Sequence, residues 1–165
     1  MFLRTLIAGS RDTIAGTVYG TIIVLSIITA GAPAFEHSQW HLIAVLGVTV
    51  LIFWVAHVYT HIIGESVHEG HRLDHEQIAQ IAHRELAIPL AAVLPMAVVA
   101  LGALGVLRSS TALWIAVGIG VTTLAVAGVR FARLERLGTL GTIVSVGINL
   151  ALGLALVVLK ATLSH

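Results

Sequence analysis

LIAVLGVTVLIFWVAHVYTHII, residues 42–63, contains no Asp, Glu, Lys or Arg. As a helix rising 1.5 Å per residue it is about 33 Å long, enough to cross the roughly 30 Å hydrocarbon core of a bilayer. Backbone polar groups in lipid must be satisfied within the protein, so a run of this length reads as a transmembrane helix rather than a strand. The whole chain agrees. Of 165 residues, 58% are hydrophobic and 10% charged, and the mean hydropathy is +1.00. A soluble domain carries about 25% charge, without which it has no means of covering a water-facing surface.

Outward from this segment, four more runs have membrane length: about Thr13–Ala32, Leu86–Leu107, Ala112–Val129 and Gly138–Leu159. Val18–Ile28 followed by Ala30-Gly31-Ala32 has some look of a secretory signal. The whole apolar run, about Thr13–Ala32, exceeds the roughly 7–15 residues of an h-region, so it is read as the first span. The expected fold is a single all-α integral membrane domain, 1–165, with five transmembrane helices. The one sizeable polar connection is the segment 64–85.

Charge sets the expected orientation. Seven basic residues (Arg4, Arg11, Arg72, Arg84, Arg130, Arg133 and Arg136) lie on one side of these spans, and two (Arg108 and Lys160) on the other. The positive-inside rule then puts the N-terminus and 64–85 in the cytoplasm and the C-terminus outside, as an odd number of spans requires. Gly16-x-x-x-Gly20, continued by Gly102, Gly105, Gly118, Gly120, Gly141, Gly147 and Gly153, offers small-residue faces for close helix contact. Pro89 and Pro95 predict a kink or a freed carbonyl in the third span, and Asn149 in the fifth is expected to face the bundle interior.

Nine histidines in so apolar a chain, with no cysteine, direct attention to residues 57–71. At 100° per residue, His57, His61, Glu65 and His68 fall within roughly 80° on the second helix. Two imidazoles one turn apart with a carboxylate one turn further are a workable ligand spacing for a divalent metal. If the helix runs on unbroken, His71, Arg72 and His75 extend the stripe; Gly64 or Gly70 would end it. Asp74 with Gln77 three residues later predicts a capping box opening a short amphipathic helix, with Ile78, Ile81 and Ala82 on its apolar face. Asp12, beside Arg11 at the foot of the first span, and Glu85, at the foot of the third, are positioned to form a cation entry.

These features resemble the vacuolar iron transporter family from Arg11 to the C-terminus. Arg11-Asp12-x-x-x-Gly16-Thr17-Val18-Tyr19-Gly20 is similar to its glycine-rich first helix, Arg84-Glu85-x-x-x-Pro89 to its entry to the third helix, and Arg136 with the glycine-spaced fifth helix to its last span. The resemblance implies five spans, a second helix extended into the cytoplasm, a carboxylate-rich helical segment after it, and iron transport. Where the family has an aspartate before the second glycine this chain has Tyr19, and His57 and His61 stand near the place of a second-helix methionine. The family's cytoplasmic metal-binding glutamates map only loosely onto Glu65, Glu69, Glu76 and Glu85. Phe53-Trp54-x-x-His57 is also similar to the second helix of small bacterial potassium channels, although their Phe-Ser-Asp signature and sixth span are missing.

The leading expectation is a homo-oligomeric transporter, a dimer first, moving divalent ions of the iron or manganese class across a bacterial plasma membrane. His57 and His61 are the expected intramembrane ligands, with Glu65, His68 and Glu69 as cytoplasmic acceptors. Asp12, Tyr19, Glu85 and Asn149 are expected along the ion path. The ion is cargo; no cofactor is expected, nor any nucleic-acid partner. Ligands bind metal only when deprotonated, so binding releases protons and proton antiport is an expected coupling. A cation or proton channel, or a non-catalytic membrane scaffold, would use the same residues differently. No nucleophile–base pair, phosphate loop or cofactor motif suggests an enzyme.

Overall fold

A computed structural model describes residues 11–31 and 38–163. Among them are six helices and no strands: α1 (Arg11–Gly31), α2 (Gln39–Glu69), α3 (His75–Arg84), α4 (Ala87–Ala103), α5 (Ser109–Leu134) and α6 (Thr139–Leu163). Three of these, α1, α2 and α5, are long and apolar enough to cross a bilayer. The pair α3–α4, bent by 41° at the break between them, makes a fourth candidate if taken as one span. The shorter apolar run of α6 is Thr139–Ala155.

At the centre lies α1, packed on α4, α5 and α6 and more lightly on α2. Its Val24, Leu25 and Ile28 are completely or almost completely buried. Gly16 and Gly20 make the α1–α4 contact possible: a Cβ on Gly20 would lie 2.5 Å from the carbonyl oxygen of Ile88. The small-residue faces expected from the sequence therefore resolve into two groups. Gly20, Gly102, Gly120 and Gly153 face tight contacts, whereas Gly118 and Gly147 face open space.

Helix α2 runs through Gly64 and stops at Gly70, whose φ of 70° turns the chain into the left-handed region and whose N–H donates to the Ser66 carbonyl. Its 31 residues span about 46 Å, longer than the roughly 30 Å bilayer core. Because the helix ends here, His71, Arg72 and His75 do not extend the polar stripe of α2. The capping box is present: Asp74 Oδ1 accepts from the Gln77 N–H (2.8 Å) and Gln77 Oε1 accepts from the Asp74 N–H (2.9 Å). In α3, Ile81 is buried, while His83 and Arg84 are exposed.

The bend near the third span is not at a proline. It falls at Glu85 and Leu86, upstream of Pro89 and Pro95. Pro89 occupies the first turn of α4, where its missing N–H costs no intrahelical bond. Pro95 lies buried inside α4.

The ends of α4 and α5 are closed by the same motif. After α4, Gly105 (φ 77°) donates to Gly102 O and Val106 N–H to Leu101 O. After α5, Arg136 (φ 53°) donates to Arg133 O and Leu137 N–H to Ala132 O. This pairing of bonds satisfies the last carbonyls of a helix and places one residue in the left-handed conformation, where glycine is favoured. Only the second motif carries a side chain there.

Candidate metal centre

One turn apart on α2, His57 and His61 present their imidazoles to the same side. The carboxylate they meet is not on α2. It belongs to Glu85, the residue capping the C-terminus of α3 at the bend into α4. His57 Nε2 lies 3.6 Å from Glu85 Oε2, and His61 Nε2 lies 3.6 Å from Glu85 Oε1. One ligand atom from each of the three residues falls within 4.8 Å of the others. The Glu85 side chain is 5% exposed, against 34% for His57 and 45% for His61.

Three local features hold this arrangement. Trp54 Nε1, one turn before His57, donates to the Ala82 carbonyl at 3.3 Å, tying α2 to the last turn of α3. The ring of Tyr19 on α1 stacks on that of His57, with centroids 5.1 Å apart and planes inclined by 28°, and meets Phe53 edge-on at 6.1 Å. The close approach of α1 to Ile88 brings Tyr19 and Glu85 both within reach of His57. Thr60 Oγ1 donates to the His57 backbone carbonyl at 2.8 Å, a bond that does not occupy the imidazole.

A buried carboxylate is costly unless a cation compensates it. Two imidazole nitrogens and one carboxylate oxygen form a donor set suited to zinc, iron or manganese, and three protein ligands leave one tetrahedral position open. Donors around a tetrahedral ion with bonds of 2.0–2.1 Å lie about 3.4 Å apart, close to the nitrogen–oxygen separations of this cluster.

The expected stripe is thus divided. His57 and His61 come together as anticipated, but the carboxylate beside them is Glu85 rather than Glu65. Glu65 pairs with Arg84 Nη1 at 3.5 Å. Glu69 lies 3.4 Å from His71 Nε2 and accepts from Gln77 Nε2 at 3.4 Å. His68 is exposed in the last turn of α2. Tyr19 reaches the cluster through its ring. Asn149 lies away from it, donating from Nδ2 to the Ser145 carbonyl at 2.9 Å, and Ser145 in turn donates to the Gly128 carbonyl at 3.0 Å. The Ser145 bond ties α6 to α5 where Gly128 lets the two backbones approach. The side chain of Asp12 lies outside the described residues, although its backbone is in α1.

No protein-family model matches this chain, and neither a curated protein nor a solved structure matches it.

Proposed function

We propose that this chain is a membrane transporter for divalent metal ions of the iron or manganese class, with His57, His61 and Glu85 as its ion-binding station. The observation that carries the proposal is the convergence of two imidazoles on one buried carboxylate, supplied from a different helix, at 3.6 Å each. An ionisable group at membrane depth is costly and marks an ion pathway more often than a packing site. The likeness of the first helix and of the third-helix entry to vacuolar iron transporters points in the same direction. In this reading α3–α4 is one bent span and α6 another, which completes five. The N-terminus is cytoplasmic, the C-terminus outside, and the membrane is a bacterial plasma membrane. Glu65, His68 and Glu69, on the last turns of α2, form the polar approach to the station.

A second reading has its own support. The same contacts without a metal would make Glu85 a latch between α2 and the α3–α4 bend, as a scaffold would use it. Uptake of ferrous or manganous ion into proteoliposomes, with and without a pH gradient, separates the two. The transporter gives saturable uptake that is lost in His57→Ala/His61→Ala. No uptake above empty liposomes, together with a lower melting temperature for the double variant, refutes transport and favours the latch.

A further inference from the structure

We propose that the end of the bundle opposite the histidine cluster opens to water, and that the Gln39 amide, sealed in this structure, is the group that opening hydrates. The inference needs no metal. Helix α2 buries four residues: Gln39, Leu42, Leu46 and Val50. At 100° per residue they lie with His57 within about 80° of one another. One core-facing stripe thus starts at an amide, passes three aliphatic side chains and reaches His57 about 27 Å further along the helix.

Gln39 is 6% exposed, and neither its Oε1 nor its Nε2 has a hydrogen-bond partner among the described residues. The amide sits against Gly102, near the end of α4, and Ala112, in the first turn of α5. A Cβ on Gly102 would stand 2.6 Å from Oε1, 3.1 Å from Nε2 and 2.7 Å from the Ala112 Cβ. The slot therefore exists because residue 102 has no side chain. A carboxamide offers two donors and an oxygen with two lone pairs, all of which water satisfies. Buried without partners it is costly, and an apolar side chain of the same size would fill the slot without that cost.

Water is already needed at this end. Neither α2 nor α5 has a side-chain cap on its first turn, and the Ser38 hydroxyl bonds the His41 ring instead, so the leading N–H groups depend on solvent. Trp40 and His41 beside Gln39 are exposed, as are Ser109, Ser110 and Thr111 before Ala112. A small parting of α2 from α4 is enough to hydrate the amide. Because the sealed state carries the cost of the amide, the open one lies close to it in free energy. For the proposed transporter this end is the far mouth of the path.

The chain has no cysteine, so one introduced thiol reports the opening. Leu42→Cys places it at a site that is 1% exposed, and its reaction with a water-soluble maleimide is followed in detergent without metal. An unpartnered buried amide shifts such an equilibrium by about 5- to 150-fold. Adding Gln39→Met should therefore slow the labelling by about fivefold or more. The thiol of Ile81→Cys, equally buried but on α3, should react at an unchanged rate. Gln39→Met and Gln39→Leu should both melt no lower than the wild type. Three results overturn the proposal. Unchanged labelling of Leu42→Cys means that the amide does not govern an opening. Equal slowing at both thiols means general stabilisation rather than opening at one end. Lower melting of both apolar variants means that the amide is satisfied in the folded protein, as a trapped water would satisfy it.

Discussion

Replacing Gly20 by alanine tests the α1–α4 contact on which the site depends. The new Cβ would stand 2.5 Å from the Ile88 carbonyl oxygen and 3.0 Å from Ile88 Cα. Ordinary contact begins near 3.4 Å, so these backbones must separate by about 0.9 Å, and overpacking of this kind costs about 1–3 kcal/mol. Alanine recovers up to about 1 kcal/mol of helix propensity, leaving a net loss of up to about 2 kcal/mol. For a chain of this size that lowers the melting temperature by up to roughly 8 °C. Gly118→Ala is the matched control: its Cβ meets nothing within 4 Å, so propensity acts alone and the melting temperature should stay level or rise. Circular dichroism in one detergent measures both. The same separation moves Tyr19, adjacent to Gly20, relative to Glu85, three residues before Ile88. Disturbing groups that orient metal ligands costs about 10–100-fold in affinity, readable by calorimetry with manganous ion. A Gly20→Ala protein as stable as Gly118→Ala would refute the close α1–α4 contact.

Glu85→Gln should abolish high-affinity metal binding by calorimetry while the helical signal persists, since the glutamine keeps the volume of the buried side chain. Lowering the pH should weaken metal binding, because imidazole ligates only in its neutral form and acid competes for the same nitrogens; proton release measured in weakly buffered solution should accompany each ion bound. Asp74→Ala removes the capping box of α3 and should cost about 0.5–2 kcal/mol. That loss should appear first as faster amide exchange in α3, with α2 unaffected.

Features that rest on local periodicity were legible from sequence. The charge-free run 42–63 declares a helix, though not its full extent from Gln39 to Glu69, and Asp74 with Gln77 declares the start of α3, because a capping box involves only neighbours in the chain. Helix ends were less legible. Gly64 and Gly70 are the same residue type in similar surroundings; Gly70 ends α2 because the chain there turns to φ 70° and bonds back to Ser66. The prolines of the third span drew attention to the wrong place for a bend, since Pro89 sits in a first turn where its ring is tolerated. Glycines divide by neighbours that no pattern within one helix reveals: Gly20 faces Ile88 and Gly118 faces nothing.

The candidate site shows the same limit in sharper form. Periodicity ranks residues by the face they share on one helix, and on that criterion Glu65 is the carboxylate one turn beyond His61. Distance in space obeys a different rule. Arg84 holds Glu65 outward at 3.5 Å, while the bend after α3 carries Glu85 back against α2. The sequence signal for Glu85 is its setting: an acidic residue between the polar α3 and the apolar α4, where its charge must be buried with a partner or left in water. Burial of its side chain to 5% exposed selects the first course. Its partners at 3.6 Å are then the two histidines already singled out for their depth. A carboxylate at such a boundary is worth weighing with the ligands of a neighbouring helix, because the cost of burying it must be met by whatever cation lies across the gap.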